Sequence, residues 1–293
     1  MVLSASVKAD LTLVLVTMLA AVGWIFSKEA LAGIAPLTFI FLRFSSGGMV
    51  LATVGQRQLL AMSRQQWSAA IRSGICFGAA MVFWILGLKY GQHLGVGAFL
   101  TSLGAVLVPV VSWLMGEQPP RSAWVSVAIA VLGLACLSLD GEFVFGLGEL
   151  SFLMAALLFS FMFVLTSRAA AKTPAVALSA IQLLMVGIVA LPVLLLMEEW
   201  QLPDAVDIWI WIILSILLGT CGRFFLQVWA QGKTSPSAAA VIMVLEPVWT
   251  AFLAALWFGE TTSAMQLLGC GLIFLALLAS RWRSVLRLLG MAH

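Results

Sequence analysis

Ten runs of 18 to 24 mostly apolar residues follow one another along the chain, at 11–32, 36–54, 70–89, 94–116, 122–139, 149–169, 175–197, 207–230, 236–258 and 263–281. Clusters of charged residues, Gly, Pro or Trp separate them. About 20 such residues are what a helix needs to cross the hydrocarbon layer of a bilayer. Backbone polar groups in lipid must bond within their own segment, so each run is predicted to be a helix. The chain is 63% hydrophobic and 9% charged, against roughly 25% charged in a soluble domain. The fold class expected is an all-α polytopic membrane protein of ten transmembrane helices, with loops too short to hold a separate soluble domain.

The positions of the charges predict an orientation. With both termini on the cytoplasmic side, Lys8, Arg57, Arg64, Arg72, Arg121, Arg168, Lys172, Lys233, Arg281, Arg283 and Arg287 fall inside, and only Lys28 and Lys89 fall outside. Cytoplasmic loops retain Lys and Arg in this way. The net charge of +3 comes from helix ends and not from a basic run, so nucleic acid is not an expected partner. Cys76, Cys136, Cys221 and Cys270 lie in apolar stretches without metal-ligand or redox spacing, and no metal or cofactor is expected. Lys8 ahead of an apolar run resembles the start of a signal peptide. That run continues through Trp24 to Lys28-Glu29 and similar runs follow, so it is read as span 1. Short loops without targeting extensions favour a bacterial inner membrane.

A weak internal repeat runs through the chain. A shift of about 143 residues pairs Gly116-Glu117 with Gly259-Glu260, Gly95 and Gly97 with Ala238 and Ala240, and Gly133 with Ala276. With a slightly smaller shift, Lys28, Pro36 and Arg43 parallel Arg168, Pro174 and Gln182. Residues 1–140 and 141–293 are thus expected to be two repeats of five spans each. An odd number of spans inserts the second repeat upside down, which suits alternating access from a central cavity.

Ser235-Pro236-Ser237-Ala238-Ala239, Leu245-Glu246-Pro247-Val248, Gly259-Glu260, Gln266 and Gly269 resemble the span 9 to span 10 signature of the drug/metabolite transporter superfamily, in its ten-helix group with two EamA domains. Lys28, Pro36, Arg43, Gly87-Leu88-Lys89-Tyr90 and Ala98 to Leu103 resemble the first half of that group. The resemblance covers nearly the whole chain and implies an exporter of a small-molecule substrate across the lipid bilayer, and similar helices serve exporters of amino acids, aromatic ones among them, of amphipathic drugs and of other metabolites. Where the second half has Glu246-Pro247, the first has Leu103-Gly104 and a later Pro109, so the halves are not equivalent there.

Glu246 is the sharpest single signal. It lies about 15 Å from either end of span 9, where a carboxylate is costly unless it is neutral, paired or wet. It reads either as a cavity-facing proton acceptor and partner for a substrate amine, or as a packing carboxylic acid. Pro247 removes a backbone donor beside it. Arg223, flanked by Gly219 and Gly222 and one turn from Gln227, reads as cavity lining. Arg43 reads as a structural ion pair or helix-end cap, with carboxylate binding as the alternative. Lys28 reads as a snorkelling residue or a gate. Trp24, Phe77, Phe83, Trp84, Phe99, Phe163 and Trp249 are deep aromatic residues, candidates for the substrate path against ordinary packing. Gly74 and Gly78, and then Gly87, Gly91 and Gly95, repeat every four residues and predict close helix contact.

Aromatic walls with few charges suit an amphipathic solute better than a sugar phosphate. The expected function is export of amphipathic metabolites, amino acids and especially aromatic ones, with protons as the candidate coupling ion. Broad-specificity drug efflux is the alternative. A membrane-embedded enzyme would need paired carboxylates, a nucleophile relay or a metal cluster. The only histidines are His93 and His293 and the Asp residues lie at span ends or in loops, so the chain is read as no enzyme.

Overall fold

The computed structural model describes residues 5–90, 94–138, 146–259 and 264–288, and every regular element among them is helical. In chain order these are α1 (Ala5–Ala30), α2 (Pro36–Val54), α3 (Gln56–Leu60), α4 (Arg64–Tyr90), α5 (Leu94–Leu114), α6 (Arg121–Ser138), α7 (Leu147–Ala170), α8 (Ala175–Met197) and α9 (Val206–Ile216). A π-helical segment, Leu217–Gly222, joins α9 to α10 (Arg223–Gln231), and α11 (Pro236–Met243), α12 (Glu246–Phe258) and α13 (Ala264–Leu288) follow.

Among the described residues seven stretches are long and apolar enough to cross a membrane: Val7–Ala30, Pro36–Val54, Arg64–Gly87, Leu147–Ala170, Ala175–Met197, Val206–Gln231 and Pro236–Phe258. Three shorter apolar stretches, Leu100–Leu114, Arg121–Cys136 and Leu267–Ala276, overlap the remaining runs read from the sequence. Exposed Leu132, Ile188, Phe252 and Leu275 give the outer surface the apolar character that lipid requires. Cys76, Cys136, Cys221 and Cys270 are free thiols.

Two spans depart from regular α-helix. The π-helical segment interrupts Val206–Gln231, and a turn at Val244 and Leu245 separates α11 from α12. Pro247, at the start of α12, lacks the N–H that a continuous helix would use. Irregular backbone at this depth persists where protein or a cavity surrounds it.

The helices pack in pairs across the bundle: α4 on α7 and α8, α2 on α8, α6 on α13, α5 on α7, and α1 on α9, α10, α11 and α12. Missing side chains permit the closest approaches. A Cβ on Gly78 would lie 2.6 Å from Val189 Cβ, and one on Gly87 would lie 2.6 Å from Phe152 Cδ1, so these two glycines of the four-residue series serve contact as expected. Gly91 lies outside the described residues.

Two buried polar ties hold the middle of the bundle. On α2, Arg43 donates from Nε to Thr220 Oγ1 (2.6 Å), from one terminal nitrogen to Ser27 Oγ (2.9 Å) and from the other to the Gly219 carbonyl (3.0 Å). On α8, Gln182 Nε2 donates to Ser73 Oγ (3.0 Å) and Thr166 Oγ1 (2.7 Å), joining α4 and α7. At the end of α8, Glu198 supplies the cap that Ala35 does not give α2. Its carboxylate accepts from the Leu37 and Thr38 amides at 2.9 and 3.0 Å and from Thr38 Oγ1 at 3.2 Å.

Such a carboxylate cap stabilises a helix N-terminus by about 1 kcal/mol or more. Glu198→Ala is therefore expected to lower the thermal midpoint of the detergent-purified protein by about 2–4 °C or more, and Glu198→Gln, which keeps an acceptor, by less. An unchanged midpoint in Glu198→Ala would remove the cap from the account.

Candidate functional site

The two breaks meet beside α1. Glu246 is the first residue of α12, so its carboxylate sits at the positive end of a helix whose first amides have no partner within it. Arg223 opens α10, directly after the π-helical segment. Their side chains form an ion pair of 3.1 Å, with 19% and 22% of each side chain exposed. The second carboxylate oxygen of Glu246 accepts from Trp24 Nε1 at 3.2 Å, and Trp24 meets Trp84 edge to face at 5.9 Å between centroids. One acid, one base and two indoles from four separate helices thus converge.

Several polar atoms on the same helices are buried without a hydrogen-bond partner among the described residues: Arg223 Nε, Gln227 Oε1 and Trp249 Nε1. An unmet buried donor or acceptor costs about 1–3 kcal/mol, so such groups in a native protein call for a partner, a water or a ligand. Gln227 lies one turn beyond Arg223, and Trp249 nearly one turn beyond Glu246, so both continue the faces that carry the ion pair.

Arg43 does not reach Glu246, because its guanidinium is spent on Ser27, Gly219 and Thr220. Thr220 in turn donates to the Ser215 carbonyl five residues back, the spacing of a π-helix. Arg43 therefore fixes the segment that aims Arg223, and is a positioning residue. Close approach of α1 helps: a Cβ on Gly23 would stand 3.3 Å from Gly219 Cα.

The other candidates lie elsewhere. Phe77 is buried with Phe44, Phe159 and Phe224 at centroid distances of 5.5, 6.2 and 5.2 Å. Phe163 is buried in a core formed with Leu13, Val16, Val108 and Ile242. Phe83 is half-buried on α4, one residue from Trp84. The side chain of Phe99, like His93 and His293, lies outside the described residues. Lys28 Nζ stands 3.8 Å over the Phe258 ring, and neighbouring Glu29 accepts from Trp257 Nε1 at 3.0 Å, so the end of α1 clasps the end of α12. Among the described residues no group of three or more His, Cys, Asp or Glu is placed to hold a metal ion.

Sequence reasoning did not find Glu198, Glu29 with Trp257, or Thr220. Each is a span-end acid or an ordinary hydroxyl whose partner is 160 or more residues away in the chain.

A model of the EamA-like transporter family matches the chain twice, over residues 7–139 and 146–282. An uncharacterized transporter of Archaeoglobus fulgidus is 26% identical over 272 residues, covering 92% of this chain and 84% of that protein. The uncharacterized transporter YwfM of Bacillus subtilis is 28% identical over 261 residues, covering 83% of each. A shorter match, 33% identical over 98 residues, covers 32% of this chain and 86% of ArnE of Salmonella typhimurium, named a probable 4-amino-4-deoxy-L-arabinose-phosphoundecaprenol flippase subunit. A crystal structure superposes with a TM-score of 0.77 at 19% identity, covering 97% of this chain and 98% of the other, a likeness of fold. The named relatives are transporters and not enzymes.

Removing one member of a buried ion pair leaves the other uncompensated, at a cost of about 3–5 kcal/mol. Arg223→Met and Glu246→Gln are each expected to lower the thermal midpoint, and the double variant to lower it less than the two losses added. Additive losses, measured by a double-mutant cycle, would show that the pair is not coupled.

Proposed function

The chain belongs to the EamA-like transporter family, and from that premise we propose that it exports small amphipathic amino acids, aromatic ones favoured, by alternating access between two inverted halves of five spans each. The carrying observation is the Arg223–Glu246 pair at two helix breaks, with an exposed indole on one oxygen and unmet polar atoms around it. An α-amino acid brings both charges that such a pair can exchange. Its ammonium takes Glu246, its carboxylate takes the fork of Arg223, and its ring lies against Trp24 and Trp84. Each protein charge keeps a partner throughout, so the ligand is not opposed by an uncompensated buried ion.

The division into residues 1–140 and 141–293 is supported by the packing. Exchanging each helix for its counterpart turns α4 on α7 into the second-half broken helix on α1, and α5 on α7 into α11 and α12 on α1, while α2 on α8 and α6 on α13 exchange into themselves. Arg43 and Gln182 occupy matching places and tie matching neighbours. Gly116 and Gly259 end matching helices with φ of 90° and 67°, a conformation that favours glycine.

Glu246 is also the candidate proton site. A proton exchanged there as Arg223 turns to the substrate would couple export to the proton gradient. The same reading puts the termini on the cytoplasmic side of a bacterial inner membrane, an orientation that the basic residues at the inner helix ends support. The likeness to the flippase subunit supports a second reading, transport of a lipid-linked solute that carries an amine, for which Glu246 would again be the partner.

Proteoliposomes loaded with labelled phenylalanine are expected to show saturable flux and counterflow above empty vesicles, and Glu246→Gln to lose the pH dependence of that flux. PH dependence unchanged in the variant would retire the proton role. Absence of saturable flux for phenylalanine, with flux of a cationic drug or an amine-bearing lipid instead, would replace the amino-acid reading by drug efflux or flipping. Tags at residues 1 and 293 are expected on the same face of the membrane, and tags on opposite faces would sink the inverted arrangement.

A further inference from the structure

A cavity of about 260 Å³ lies at the far end of α10 from Arg223, lined among others by Glu117, Ser167, Arg168, Gln231 and Thr234. It joins the end of α7 to the turn between α10 and α11, the end of the bundle that carries Lys172 and Lys233. Arg223, Gln227 and Gln231 recur every four residues and so share one face of α10. That face runs about 12 Å from the central ion pair to this cavity.

The lining is unusual for a packed helix end. Gln231 is 1% exposed, yet neither its amide nitrogen nor its amide oxygen has a hydrogen-bond partner among the described residues. Ser167, 5% exposed, has an unmet hydroxyl, and Gln227 above it an unmet carbonyl oxygen. Beside these buried neutral groups stands a half-exposed ion pair, Arg168 Nε to Glu117 Oε1 at 3.1 Å, with Arg168 also donating to the Met115 carbonyl at 2.7 Å. The cavity therefore offers one positive and one negative group a few ångströms apart, next to two further donors and acceptors held away from water.

A ligand with one charge would be attracted by half of this pair and repelled by the other. A dipolar ligand satisfies both. The volume lies just under the range of drug-sized pockets, about 300–1,000 Å³, and matches a compact head group better than a large solute. We propose that this cavity is a second binding site, for the zwitterionic head of an α-amino acid, with the ammonium on Glu117 and the carboxylate on Arg168, Ser167 and Gln231. It receives substrate from one face of the membrane and passes it along the Gln231–Gln227 face to Arg223 and Glu246. The step along this path rests on the export reading above, whereas binding of the head group does not.

The test is calorimetry on the full detergent-purified chain with glycine, which is the head group alone, against acetate and methylamine, which are its two halves. Glycine is expected to bind saturably and each half at least about tenfold more weakly, since each lacks one charged contact. Gln231→Met, close in shape, and Ser167→Ala are each expected to weaken glycine about five- to tenfold, with thermal midpoints near that of the parent. Two variants guard against a fold defect in either one. Absence of saturable glycine binding, or equal binding of acetate, overturns the proposal. So does glycine binding that vanishes in Glu246→Gln and is untouched by Gln231→Met, because the head group is then held at the central pair. Phenylalanine flux separates the two claims: a protein that binds glycine through Gln231 yet moves no amino acid keeps this site and loses the export reading, and the converse loses this site alone.

Discussion

A polar group placed inside this bundle is costly unless something meets it, because hydrocarbon offers no partner. Arg43 shows how the constraint is met. The π-helical segment leaves the Gly219 carbonyl and the Thr220 hydroxyl available to a donor, and a guanidinium fork from α2 bonds both and reaches Ser27 on α1 with its remaining arm. Lys, with a compact ammonium on a flexible stem, does not present this fixed fork. At the matching place in α8 the neighbours are two hydroxyls on regular helices, and the neutral amide of Gln182 suffices. The irregular backbone, and not the position alone, calls for the charge.

The same constraint builds the candidate site. A broken helix exposes amides at the start of its second piece, and these favour a negative group. Glu246 occupies that place in α12, and Arg223 occupies the start of α10 after the π-helical segment. The start of α12 thus becomes a place where a carboxylate is cheap to hold, and Arg223, whose cation a helix start does not favour, is compensated by its pairing with Glu246. The ion pair between them satisfies both in the absence of a ligand, while Arg223 Nε, Gln227 and Trp249 keep unmet atoms close by.

Much of this was legible in the sequence, for physical reasons. Apolar runs of membrane length predict the helices because a bilayer admits little else, and every described stretch overlaps a predicted run. Glu246-Pro247 drew attention as an acid beside a missing backbone donor, and the break falls there. Arg223 beside two glycines likewise led to the π-helical segment. Partners were not legible. That Arg43 would hold Thr220, Glu198 would cap α2, or Phe77 would pack among Phe44, Phe159 and Phe224 depends on which helices lie side by side. No spacing along one helix encodes that choice. Deep aromatic side chains look alike in sequence whether they meet a solute, as Trp24 is placed to do, or a core, as Phe163 does.

The departure between the halves gains a meaning from the packing. Where the second half breaks at Glu246-Pro247, the first carries Leu103-Gly104 inside α5, which continues unbroken to Leu114. Gly104 lets α5 press onto α7: a Cβ there would lie 3.0 Å from the Ala156 carbonyl oxygen. Breaking α5 at this point would free backbone groups exactly matched to those of α12 only if the close contact were given up. One half thus keeps a rigid helix seam while the other opens its backbone to carry the acid. In the proposed carrier the charge chemistry of both access states therefore falls on a single half, and the other supplies the surface against which it moves.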